Sequence, residues 1–170
     1  MQNKASPRAD IDATRTLPVI LAGLAGGVME IVWITFYSSL TSTSAANIAR
    51  QISATVMPFA MDQGRMLTFG VGVHLFLSIM LAAVFVGVLY GPVVRRFGAR
   101  GVFISGLTTL SAVWAVNFFV LLPVLNPAFP LLMPYAVTLT SKLLFGAAMT
   151  WVLNGRSRPD AQRIASVPPQ

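Results

Sequence analysis

Four long apolar runs dominate the sequence, at about 17–40, 67–94, 102–122 and 131–153. Each matches or exceeds the ~20 residues that an α-helix needs to cross ~30 Å of hydrocarbon. Lipid offers no hydrogen bonds to an exposed backbone, so such a run must satisfy its own amides, which a helix does within one segment. The fold class read from this is all-α: a polytopic membrane protein with four transmembrane helices. Composition agrees, because 10% of the 170 residues are charged against about 25% in soluble domains. The first run is not read as a signal peptide. It is longer than the ~7–15 residues of an h-region, and it holds Glu30.

The flanking residues set the expected orientation. Lys4, Arg8 and Arg15 precede the first run, Arg95, Arg96 and Arg100 lie between the second and third, and Arg156, Arg158 and Arg163 follow the fourth. The other side carries only Arg50 and Arg65. Lysine and arginine accumulate on the cytoplasmic side. The domain reading is therefore a loose cytoplasmic N-terminal segment at 1–16, a four-helix transmembrane domain at 17–153 and a cytoplasmic tail at 154–170, in the bacterial inner membrane. The net charge of +7 would suggest nucleic acid in a soluble protein. Here the basic residues sit beside apolar runs and point to anionic lipid headgroups. A basic groove interleaved with aromatics, as single-stranded nucleic acid requires, is absent. Without cysteine there are no disulfides, thiolate metal sites or iron–sulfur ligands.

The connections carry their own signals. In SAANIARQISATVM, Ser44 is a candidate N-cap, Ile48, Ile52 and Val56 share one face, and Pro58 ends the pattern. This predicts a short helix between the first two spans, lying on the periplasmic surface or packed over the end of the bundle. Pro123, Pro127, Pro130 and Pro134 predict a stiff outer turn before the fourth span, with Phe129 and Tyr135 as interfacial anchors. Gly23-x-x-x-Gly27 and Gly87-x-x-x-Gly91 offer small faces for close helix approach. They serve packing within the chain or association with a second copy or another membrane protein.

Each run holds one unusual polar residue: Glu30, His74, Asn117 and Lys142. At about 1.5 Å per residue, Lys142 falls near mid-membrane, Glu30 about 3 Å outward, and His74 and Asn117 about 8 Å outward. Trp114, Thr138, Thr140 and Ser141 lie at similar depths. Ionisable groups in a bilayer cost at least ~2.5–3.5 kcal/mol, face the bundle interior and pair. On a structural reading, Glu30 and Lys142 pair to fix how the first and fourth helices meet, and His74 hydrogen-bonds Asn117. On a transport reading, Glu30 exchanges a proton, His74 relays it, and Lys142 binds an anion or holds Glu30 ionised. Cofactors and metals fit poorly: one histidine cannot give bis-His haem ligation, and zinc wants three or four ligands. Catalysis is not expected, since no serine sits in a G-x-S-x-G elbow and no phosphate-cradling glycine loop is present.

The stretches TSAANIARQISATVMPFA, GVHLFLSIMLAAVFVGVLYG and VNFFVLLPVLNPAFPLLMPYAVTLTSKLLFGAAM resemble a group of uncharacterised bacterial four-helix integral membrane proteins. Arg50, His74, Asn117, Pro127 and Lys142 are the matched positions, and the resemblance implies a fold without an assigned activity. Glu in the first helix with Trp in the third is also similar to small multidrug-resistance transporters. That resemblance implies Glu30 as a proton- and drug-binding carboxylate and Trp114 as an aromatic platform. GPVVRRFGARG resembles a short loop of major-facilitator transporters, without that loop's acidic residue. The expected function is a non-enzymatic membrane protein of structural or accessory type. The alternative is a small proton-coupled transporter working through Glu30, His74 and Lys142.

Overall fold

The computed structural model describes residues 7–56 and 62–165. The described residues form helices α1 (Pro7–Leu40), α2 (Ala45–Val56), α3 (Gln63–Phe85), α4 (Gly91–Val116), α5 (Leu122–Leu125) and α6 (Tyr135–Ala165), and no strand. α1 begins well before the first apolar run, with Pro7 as its first residue, where a missing N–H costs nothing. Three helical stretches are long and apolar enough to cross a membrane: Thr16–Leu40, Gly64–Leu125 and Tyr135–Gly155.

The middle stretch is 62 residues, which would extend about 93 Å as one rod, three times the thickness of a hydrocarbon core. It is broken at Gly98, whose φ of 62° and ψ of −160° leave the helical region. That combination belongs essentially to glycine. Two π-helical turns, Val86–Tyr90 and Asn117–Leu121, each lie just before a proline, Pro92 and Pro123. A proline lacks the N–H for the i−4 carbonyl and its ring crowds that carbonyl. The turn widens at Val88 and Phe119, the two i−4 positions.

The chain runs back on itself at the break. Ala82 and Phe85 before it and Val102 and Leu110 after it belong to one core with Ala22, Phe145, Met149 and Leu153. Directions follow from the contacts. Gly23 lies on Ile79 and Gly27 on Leu75, so α1 and α3 are antiparallel. Trp33 Nε1 donates to the Val137 carbonyl at 3.0 Å and Gly26 lies on Phe145, so α1 and α6 are antiparallel. Asn154 donates to Ala99 at 3.1 Å and Trp114 to Thr138 at 2.9 Å, so α4 and α6 are antiparallel. α6 thus packs along both α1 and α4, and α3 along α1 and α2. The outward faces stay apolar, with Val84 62%, Val88 64% and Trp151 77% exposed, as suits lipid rather than water.

α2 starts as its sequence predicts. Ser44 Oγ accepts the Asn47 amide at 3.3 Å, and Ile48 is buried. Pro58, the expected stop, lies outside the described residues, as do residues 1–6. α2 sits tightly on α3, where a Cβ at Gly70 would collide with the Ala49 carbonyl and Ser53 Oγ donates to the Met66 carbonyl. Asn126 Nδ2, at the end of α5, faces Thr55 Oγ1 at 3.0 Å and Gln51 Oε1 at 3.2 Å, tying α2 to the proline-rich connection.

Of the two glycine pairs, the first packs against another helix among the described residues and the second does not. Gly23 faces the backbone of α3 and Gly27 the Ser78 and Leu75 side chains, whereas a Cβ at Gly87 meets nothing within 4 Å among the described residues.

Candidate functional site

The bundle is solid in one half and hollow in the other. The core residues Ala22, Ala82, Phe85, Val102, Leu110, Phe145, Met149 and Leu153 fill the half away from α2. In the other half a cavity of about 690 Å³ opens beneath α2 and the Asn117–Leu121 turn. Its walls are apolar, built from residues such as Ile34, Ile52, Val71, Leu81 and Leu122. Its polar lining includes Glu30, His74, Asn117, Ser141 and Lys142, together with the hydroxyl residues Thr35, Thr55, Ser78 and Thr138.

Glu30 is 4% exposed and forms the centre. Its Oε1 accepts from Ser141 Oγ at 2.8 Å and from Lys142 Nζ at 2.8 Å; its Oε2 accepts from Lys142 Nζ at 2.9 Å. Neighbouring residues on a helix diverge by about 100°, so Glu30 sits over the seam between Ser141 and Lys142. Lys142 reaches along the same face, its Nζ 5.9 Å from the centre of the Phe145 ring. An ammonium straddling both carboxylate oxygens, with a hydroxyl on one of them, leaves the carboxylate satisfied in a place where an unpaired charge would be costly.

His74 approaches from α3. Its Nε2 lies 3.1 Å from the Gly27 carbonyl oxygen and 3.7 Å from Glu30 Oε2. Two acceptors facing one nitrogen assign the hydrogen to Nε2. The absence of a side chain at Gly27 lets α3 come this close, since a Cβ there would lie 2.6 Å from Ser78 Oγ. Ser78 in turn donates to the His74 carbonyl at 2.8 Å, so its hydroxyl is spent within α3.

Three of the four polar residues singled out in the sequence therefore meet: Glu30, His74 and Lys142. The expected His74–Asn117 hydrogen bond is absent among the described residues. His74 turns toward the Gly27 carbonyl, and Asn117 lines the cavity with no hydrogen-bond partner for its side chain among the described residues. Trp114 does not line the cavity. Its indole N–H goes to Thr138 and its ring packs on Phe118 at 5.7 Å and edge-on to Tyr135 at 6.1 Å, a seam between α4 and α6 rather than a platform for a ligand. Thr140 turns outward and bonds its own helix at Ala136. Arg50 lies on α2 and is not among the residues lining the cavity.

Ser141 and the Gly27 carbonyl are the partners that give the site its geometry. Ser141 carries a readable signal, a hydroxyl beside the one lysine of the apolar runs. The carbonyl carries none, because every residue has one. Among the described residues, no three His, Cys, Asp or Glu side chains come together in a group able to hold a metal ion. Comparison with protein-family models, with curated proteins and with solved structures finds no match to this chain.

Proposed function

We propose that this chain is a non-enzymatic integral protein of the bacterial inner membrane, structural or accessory in role, whose first and last spans are registered by the Glu30–Lys142 pair. Four spans follow if the Gly64–Leu125 stretch crosses twice, turning at Gly98. The nine basic flanking residues at the N-terminus, around Gly98 and at the C-terminus favour both termini in the cytoplasm. α2 then lies at the periplasmic surface. Anionic headgroups are the partner of the basic end, and a second copy or another membrane protein is the candidate partner of the unpacked Gly87 face.

The observation that carries the structural role is the closed pair itself, with both Glu30 oxygens on Lys142 and a third bond from Ser141. Removing one partner of a buried pair costs about 3–5 kcal/mol, because it strands the other charge. The test is thermal stability in detergent of wild type, Glu30→Gln, Lys142→Met and the double variant. A double variant more stable than the two single losses added together supports the role through their coupling. Additive losses, or four superimposed curves, overturn it.

A second reading, proton-coupled transport through the same cluster, is favoured by one observation: the cavity reaches Glu30, His74 and Lys142. It predicts that Glu30→Gln inserts and folds normally yet abolishes substrate-driven proton movement in proteoliposomes. Unchanged proton movement in that variant removes this reading.

A further inference from the structure

The cavity beneath α2 has a use that the registering pair does not explain. Its volume of about 690 Å³ lies within the ~300–1,000 Å³ of small-molecule sites. At roughly 30 Å³ for a water-sized group, it holds on the order of twenty such groups. Aliphatic side chains of α1, α2, α3 and α5 make its walls, so a long hydrocarbon chain matches it and a polar metabolite does not.

The charges of the lining decide the head. Among the described residues, the ionisable lining residues are Glu30, His74 and Lys142. Glu30 and Lys142 neutralise one another at 2.8–2.9 Å, and His74 Nε2 is spent on the Gly27 carbonyl. An anionic head would have to draw Lys142 from Glu30, and a cationic head would have to draw Glu30 from Lys142. Either leaves a net charge in a low-dielectric layer, which is costly. Hydrogen-bonding capacity remains, however. The Asn117 side chain has no partner among the described residues. Lys142 Nζ carries three hydrogens, and among the described residues it bonds the two oxygens of Glu30 and no other acceptor. Both groups point to an oxygen acceptor on an uncharged head.

We propose that this cavity binds a single-chain amphiphile with an uncharged, hydroxyl- or carbonyl-bearing head, the head at Asn117 and Lys142 and the chain along the aliphatic walls. The proposal rests on the Glu30–Lys142 pair being closed, and not on whether that pair contributes to stability.

The test uses the purified full-length chain in detergent with three radiolabelled probes of equal chain length: hexadecanol, palmitate and hexadecyltrimethylammonium. The expected result is one hexadecanol retained per chain, with the two charged probes at least tenfold weaker. Asn117→Leu is expected to weaken hexadecanol at least threefold while leaving the melting temperature in place. Val71→Trp, which fills the cavity from α3, is expected to abolish retention. Tightest binding by palmitate or by the ammonium probe overturns the proposal, as does equal retention of all three or of none. If Asn117→Leu fails to fold, Val71→Trp with unchanged retention is itself sufficient to overturn it. The stability cycle on Glu30 and Lys142 is read without any probe, so a failure of the registering role and a failure of ligand binding are told apart.

Discussion

Alanine at Gly23 and alanine at Gly87 should behave in opposite ways, although both glycines open the same G-x-x-x-G pattern. A Cβ at Gly23 would lie 2.5 Å from Ile79 Cα, 2.9 Å from the Ser78 carbonyl oxygen and 3.0 Å from the Ile79 amide nitrogen. These are backbone atoms, which cannot rotate away. Ordinary contact begins at 3.4 Å, so α1 and α3 must separate by roughly 0.9 Å at this crossing, in line with the strain of an overpacked interface. One turn along α1, His74 Nε2 sits 3.1 Å from the Gly27 carbonyl. The same separation would carry it to about 4 Å, beyond hydrogen-bond range. Overpacking costs about 1–3 kcal/mol, and the lost bond about 0.5–1.5 kcal/mol. Alanine returns up to ~1 kcal/mol in helix propensity. The net loss for Gly23→Ala is therefore about 0.5–4.5 kcal/mol. Gly87 meets nothing within 4 Å, so Gly87→Ala should be neutral or slightly stabilising. Reversible unfolding of the monomer in mixed micelles measures both. Equal losses at the two positions would refute the assignment of Gly23 to the α1–α3 contact and of Gly87 to open surface.

Two further substitutions test the turns. At Gly98, φ 62° and ψ −160° exclude any side chain, so Gly98→Val should cost about 1–3 kcal/mol; Gly98→Asn should not rescue it, because asparagine tolerates the left-handed helical region and not this one. A melting temperature unchanged in Gly98→Val would show that the break is not required. Asn126→Leu removes the bonds to Gln51 and Thr55, so amide exchange in Ala45–Val56 should quicken by about the factor of 2–10 that one net hydrogen bond allows, while global stability changes little. Unaltered exchange across that segment would mean that α2 is held by Gly70 and Ser53 alone.

What the sequence makes legible here is one-dimensional. Apolar runs declare themselves by length, and Ser44 caps α2 from its position before Ile48. Glu30 and Lys142 are an acid and a base in runs that otherwise lack one, and pairing follows from the cost of leaving either alone. The remainder depends on how each helix is rotated about its axis, which spacing alone does not fix when both faces are apolar. His74 and Asn117 lie at similar depth and both line the cavity, yet His74 bonds a carbonyl on α1 whereas the Asn117 side chain has no partner among the described residues. Trp114 and Val113 are neighbours, and only Val113 lines the cavity. The two glycine pairs read alike and face different surroundings for the same reason. The break at Gly98 leaves helix on both sides where a basic loop was expected, because Arg95, Arg96 and Arg100 are themselves good helix formers.

The position of α6 has a consequence for biogenesis. Glu30 and Lys142 are separated by 112 residues. At the ~5–20 residues per second of translation, about 6–22 s pass between synthesis of the carboxylate and arrival of its ammonium partner. Through that interval α1 must reside in or beside the insertion machinery with its acid short of its ammonium partner, held by α3 through the Gly23 and Gly27 contacts and the His74 bond to the Gly27 carbonyl. A ribosome that stops before α6 leaves a chain whose charge cannot be buried. The bond that registers the finished bundle thereby also marks whether the last helix has arrived.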